Sequence, residues 1–357
     1  MSPLPDPAMA DMPARSATAH NTGLNTPRQR AAWLLLALAA LTVLLTALGA
    51  SVGSTGFDSV LRLADDPMAA RIVWDIRLPR SLGAWLAGAL LGLSGAVAQG
   101  LFRNPLAEPF LLGSASGASL GVAAALALFG AAPATAWLAK LGLTGAAFVG
   151  AVVAVLLTLQ LARGVQHTLR LLLAGVIVGV VLGAIKDLIT LASPDIIAAM
   201  QGFNLGSAGF IGWASCVLML LAWCVCMAGA WVFSRALDGL SLGESTAANL
   251  GLPLVPMRVA LVAVLALSTG TAVAQTGLIA FVGLAAPHLV RSMAKVTHAW
   301  LVLLASLMGG VLLMGADVMA RWVIAPQELP VGVLTAVLGG GYLLWLMHRR
   351  TGQGGVL

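Results

Sequence analysis

The stretch from Arg77 to Gly117 restricts the chain's possible folds more than any other. Arg77 and Arg80 flank Pro79, and an apolar run of membrane length follows. A polar knot comes next, Arg103-Asn104-Pro105-Leu106-Ala107-Glu108-Pro109, and a Gly/Ser/Ala-rich segment leaves it. A spanning helix needs ~20 apolar residues, so two such segments around so short a loop predict a transmembrane hairpin. Pro105 and Pro109 keep either helix from running through the knot. Gly88, Ala89, Gly92, Ser94, Gly95 and Ala96 are small residues that let neighbouring helices approach closely, which is what holds helices together in lipid.

Composition generalises the point. The chain is 60% hydrophobic and only 9% charged, against about 25% charged in average soluble domains. It cannot cover itself with a water-compatible surface and reads as an integral membrane protein. A net charge of +6 fits the basic ends of membrane helices rather than nucleic-acid binding. Cys216, Cys224 and Cys226 fall in one apolar run and read as small buried hydrophobes. No spacing of cysteines or histidines suggests a disulfide framework or a metal site, and no cofactor is expected.

In chain order, residues 1–27 are polar and proline-bearing and read as a disordered cytoplasmic tail. Ala31 to Ala50 is longer than a signal-peptide core of ~7–15 residues and reads as a first membrane helix. Residues 51–76 read as a polar outer segment. Spans follow near 80–101, 109–130, 135–161, 169–193, 211–233, 258–275, 279–290, 299–320 and 332–348, with an outer loop at 194–210. The predicted class is therefore an all-α membrane protein of about ten transmembrane helices, both termini cytoplasmic. It is organised as one polytopic domain over 28–350, a cytoplasmic loop at 234–257 and a tail at 351–357. With the amino terminus inside, twelve Lys/Arg fall inside and six outside, with Lys186 within a span. That bias matches the positive-inside rule.

Several residues stand out against this background. Arg77, Arg80 and Arg321 sit at outer helix ends, and Asp317 and Arg321 have the i,i+4 spacing of a helix ion pair. Ser241 and Glu244 form an S-x-x-E capping box, which predicts a short helix that Gly251 terminates. Lys186 lies about 25 Å along the fifth span, where a lysine snorkels outward or lines a pathway. Asp187 is adjacent but faces another way on a helix. His288 reads as a structural histidine at a helix end. The P-loop needs Gly before its lysine; Lys140, Lys186 and Lys295 follow Ala, Ile and Ala. No nucleophile–base arrangement or carboxylate pair suggests an enzyme.

The ordered string RLPR, SG, Q, RNPLAEP, LLG, SGA resembles the permease family of binding-protein-dependent ABC importers for iron–siderophore complexes, haem and vitamin B12. The resemblance resumes at Arg170–Gly175, Leu242–Leu252, Gly277–Arg291 and Glu328–Gly332. It implies a homodimeric permease with two ATP-binding cassette subunits and a periplasmic substrate-binding protein, in the lipid of a bacterial inner membrane. ATP hydrolysis then belongs to the separate subunits. Arg77, Arg80 and Arg321 match outer arginines that meet glutamates of the binding protein. Leu242, Gly243, Glu244, Ala247, Ala248, Leu250 and Gly251 match the loop whose coupling helices seat in the ATPase, and Thr168 and Leu169 match a cytoplasmic gate. Vitamin B12 permeases have an apolar residue where this chain has Lys186. A pathway lysine therefore leans the expected cargo toward an anionic iron complex, ferric siderophore or haem, with corrinoid as the alternative. An ion-coupled secondary transporter is the rival class, but such transporters keep acidic or broken-helix ion sites near the midplane, and Asp187 and Asp317 fall toward the outer ends.

Overall fold

The computed structural model describes residues 27–52, 67–130, 137–162 and 168–351. The amino-terminal tail, most of the outer segment and the last six residues lie outside that set. Among the described residues the chain is helical, with no strand. The helices are α1 (Pro27–Ser51), α2 (Pro67–Arg71), α3 (Leu78–Phe102), α4 (Ser114–Phe129), α5 (Trp137–Leu161), α6 (Thr168–Ala192), α7 (Ile197–Leu205), α8 (Trp213–Val232), α9 (Ser234–Ser241), α10 (Glu244–Asn249), α11 (Leu254–Thr276), α12 (Val282–Met293), α13 (His298–Trp322) and α14 (Val331–Thr351). Among the described residues, seven helical stretches are long and apolar enough to span a bilayer, and α4 and part of α14 are shorter apolar helices.

The helix carrying Arg77 starts earlier than the sequence suggests. α2 runs through a π-helical turn, Ile72–Arg77, directly into α3. The wider turn takes in the charged residues Asp75 and Arg77 without a break, and where Pro79 has no N–H to offer the preceding turn, Trp213 Nε1 donates to the Trp74 carbonyl at 3.0 Å. Residues 67–77 are therefore part of a 36-residue helical run rather than an outer loop.

α3 and α13 form the centre. A helix apolar on every face belongs in the interior, and α3 is buried from Gly83 to Phe102 except at Trp85. The two cross at glycines. A Cβ added to Gly88 would lie 2.2 Å from the Gly309 carbonyl oxygen, and one added to Gly309 would lie 2.2 Å from that of Gly88. Only a residue without a side chain permits this backbone approach. Ser306 fastens the crossing, donating to Ala89 O at 3.0 Å and accepting Trp223 Nε1 at 2.7 Å. α4 and α5 meet the same way at Gly117 and Gly150. α6 lies at the edge, with Leu169, Leu173, Val180, Leu188 and Leu191 exposed along one side.

Candidate functional site

At one end of the bundle, Asp317 on α13 sits between two arginines. Its Oδ1 accepts Arg80 Nε at 3.1 Å and Nη2 at 3.0 Å. Its Oδ2 accepts Arg321 Nε at 2.9 Å and also Arg321 Nη2. Arg321 is only 2% exposed and donates further to Gly49 O at 2.9 Å and Ser81 Oγ at 3.0 Å. Arg80 reaches Glu328 with Nη1 at 2.8 Å, and Arg77 donates to Ala50 O and Ser51 O at 3.3 and 2.9 Å. All three arginines are buried. They tie α1, α3, α13 and the loop before α14 together, and do not stand out as free forks. The i,i+4 pair read from the sequence exists; the larger network around it was not legible.

At the opposite end, α9 and α10 form a compact pair joined through Gly243, at φ +110°. The predicted capping box does not form. Ser241 Oγ donates to Asp238 O at 2.6 Å, and the Glu244 carboxylate pairs with Arg258 Nη2 at 2.7 Å. α10 begins at Glu244 with Gly243 as its N-cap, so Glu244 is its first residue and not the third-position partner of Ser241 that the box requires. Gly251 does terminate the helix, at φ +77°. Leu242 and Leu250 are 66% and 64% exposed, while Ala247 is fully buried. Asp238 Oδ1 accepts the His298 backbone N–H at 3.0 Å and contacts His298 Nδ1 at 2.6 Å. The loop thus presents two leucines outward and is fastened to the starts of both α11 and α13.

Between these ends two helices are broken. α11 stops at Thr276 and α12 starts at Val282, with Phe281 in the left-handed region at φ +69°. Such a φ is uncommon for a bulky residue. The Phe281 N–H donates to Glu108 Oε1 at 3.1 Å, so the polar knot after α3 supports the break in the other hairpin. Nonhelical backbone survives in a membrane only where protein or water covers its polar groups. Gln99 adds a second tie, donating to Leu284 O at 3.2 Å and accepting from Arg291 on α12. Glu108→Ala should lose about 1–3 kcal/mol, the cost of a buried N–H left unpaired, while Glu108→Gln, which keeps the acceptor, should lie near the parent. Thermal unfolding in detergent reads the difference; equal loss in both variants would refute the assignment.

Lys186 lies on α6, 19% exposed at its side chain, with Nζ 2.6 Å from Asp187 Oδ1. Adjacent residues do differ in direction on a helix, but the long lysine stem bends back far enough to pair. Leu169 is exposed at the first turn of α6, next to Thr168. Among the described residues no cluster of His, Cys, Asp and Glu could hold a metal.

Comparison with known proteins bears on the whole chain. The profile of the FecCD transport family matches residues 38–349. The vitamin B12 import system permease protein BtuC of Salmonella paratyphi A is 39% identical over 331 residues, covering 90% of this chain and 96% of that protein. The protein of the same name from Shigella boydii serotype 18 is 39% identical over 330 residues, with the same coverage. A metal-chelate type ABC transporter solved in an inward-facing conformation superposes with a TM-score of 0.80 at 26% identity, covering 89% of this chain and 99% of that one. PsaBC from Streptococcus pneumoniae, at 15% identity and a TM-score of 0.53, shares the fold.

Proposed function

The chain belongs to the FecCD transport family, and from that premise we propose that it forms half of the translocation pathway of a homodimeric, binding-protein-dependent ABC importer. It is a multi-pass protein of the bacterial inner membrane. Separate ATPase subunits and a substrate-binding protein complete such an importer. ATP-driven alternating access would then bias two states of a pathway on the two-fold axis.

The observation that carries the reading is the α9–α10 pair, which offers exposed leucines on a base fastened to two spans. We assign it to ATPase coupling through Leu242, Gly243, Glu244, Ala247, Ala248, Leu250 and Gly251. The exposed side of α6 would meet the second protomer and line the pathway, with Thr168 and Leu169 at its cytoplasmic gate. The binding protein would dock at the Arg80 end. There Arg80 would exchange half-exposed Glu328 for a carboxylate of the partner, while Arg77 and Arg321 order the rim.

For the cargo, similarity to vitamin B12 permeases over nine-tenths of the chain supports a corrinoid. The leaning toward an anionic iron complex rested on an uncompensated lysine, and Asp187 at 2.6 Å neutralises it. Ferric siderophore or haem is the second reading, supported by the likeness to a metal-chelate type ABC transporter. Reconstituted vesicles with the ATPase and binding protein should take up cobalamin with ATP. Lys186→Met should change that uptake less than twofold, but should lower uptake of an anionic ferric siderophore about tenfold if the second reading holds. Uptake driven by an ion gradient alone, without ATPase, would overturn the importer assignment.

A further inference from the structure

A groove of about 610 Å³ opens between α8 and the first turns of α13. Trp223, Met227 and Trp231 line one wall, Thr297, Trp300 and Leu303 the other. Its volume falls in the ~300–1,000 Å³ range of ligand sites. It is almost wholly apolar and rich in tryptophan, the residue that collects at membrane–water boundaries. Trp223 is fixed by its bond to Ser306, so that wall is rigid.

Two cations lie just beyond the lining residues in sequence at one end of it. Arg235 follows Trp231 by four residues, and Lys295 precedes Thr297 by two. The Asp238–His298 contact, 2.6 Å long, clamps α9 to the start of α13. That brings both cations within a turn of the same junction. Both are exposed, and neither forms an ion pair among the described residues. Asp238, three residues along α9 from Arg235, is turned onto His298. Basic pockets between membrane helices on this pattern hold anionic head groups.

We propose that this groove binds an anionic glycerophospholipid of the leaflet on the α9–α10 side. The acyl chains lie between Trp223, Trp231 and Trp300, and the phosphate sits against Arg235 and Lys295. The occupant is a lipid rather than a second copy of the chain, because an apolar trough capped by two cations complements an amphiphilic anion. A second copy would bring the same two cations against each other. The site does not depend on the cargo.

The test uses the full chain in phosphatidylcholine bilayers titrated with brominated phosphatidylglycerol or, in parallel, with brominated phosphatidylcholine. Three of the ten tryptophans line the groove, and bromine quenches them on contact. Brominated phosphatidylglycerol should reach half-maximal quenching at a fraction at least fivefold lower, since each cation near an anionic lipid is worth about a fivefold change in binding. Arg235→Gln and Lys295→Gln should each erase part of that preference. Ala228→Leu, which fills the groove, should weaken quenching by both lipids. Identical curves for the two lipids, or a preference that survives the double Gln variant, would overturn the proposal. So would disulfide cross-linking between two exposed Cys224 side chains, which would give the groove to a second copy. None of these readouts requires transport, so they fail independently of the importer assignment.

Discussion

Replacing Asp317 by alanine should destabilise the protein by about 3–5 kcal/mol, the penalty for removing one partner from a buried ion pair. The carboxylate accepts from Arg80 and Arg321 together, and without it two buried guanidinium groups repel with no acid between them. Arg321 and Asp317 are almost fully enclosed by the bundle, so water reaches the network only at its Glu328 rim. The purified variant should unfold at a markedly lower temperature and elute as aggregate. Asp317→Asn, which keeps shape and one acceptor, should fall between. Changing Asp317, Arg80 and Arg321 together to Leu, Met and Met should recover most of the loss, since a well-packed apolar trio of similar volume is often as stable as the ions it replaces. An Asp317→Ala protein within about 0.5 kcal/mol of the parent would show that the network contributes nothing.

The second large effect is expected at the other end. Leu242→Glu with Leu250→Glu should leave the fold intact, because both side chains face outward, yet should abolish ATP-driven uptake. Seating an unpaired carboxylate in a protein interface costs about 2 kcal/mol or more. Two of them weaken ATPase binding by roughly a thousandfold. Co-purification of the ATPase with the permease reads this directly, and melting temperature serves as the control. Undiminished uptake with normal ATPase retention would remove the α9–α10 pair from the coupling role.

What could be read in advance follows a physical divide. The break at the knot was legible because Pro105 and Pro109 act locally, but not the partners on either side of it: α3 packs on α13 and α4 on α5 rather than on each other. Gly251 was legible for the same local reason. The network at Asp317 was only half visible: Arg321 is four residues away, but Arg80 is separated by 237 positions, and nothing local indicates such a pairing. Glu244 misled because the S-x-x-E spacing does not say where the helix starts, and Arg258 had counted only as a topological charge. The Lys186–Asp187 pair was hidden for the opposite reason, since helical direction applies to Cβ and not to the end of a long side chain. The Glu108–Phe281 contact joins two loops that each look like plain hairpin turns in isolation.

The mutual glycine contact of α3 and α13 leaves these helices no room to slide or pivot on each other. The helix α3 carries Arg80 at one extremity and Gln99 near the other. Its companion runs from His298, held by Asp238 beside the leucine-tipped pair, to Asp317 and Arg321. The two are packed as one unit along their length, which is the geometry through which a tilt at one extremity can be passed to the other. On the docking and coupling roles proposed above, a partner arriving at the arginine extremity would be linked to the ATPase end through this helix pair rather than through the pathway.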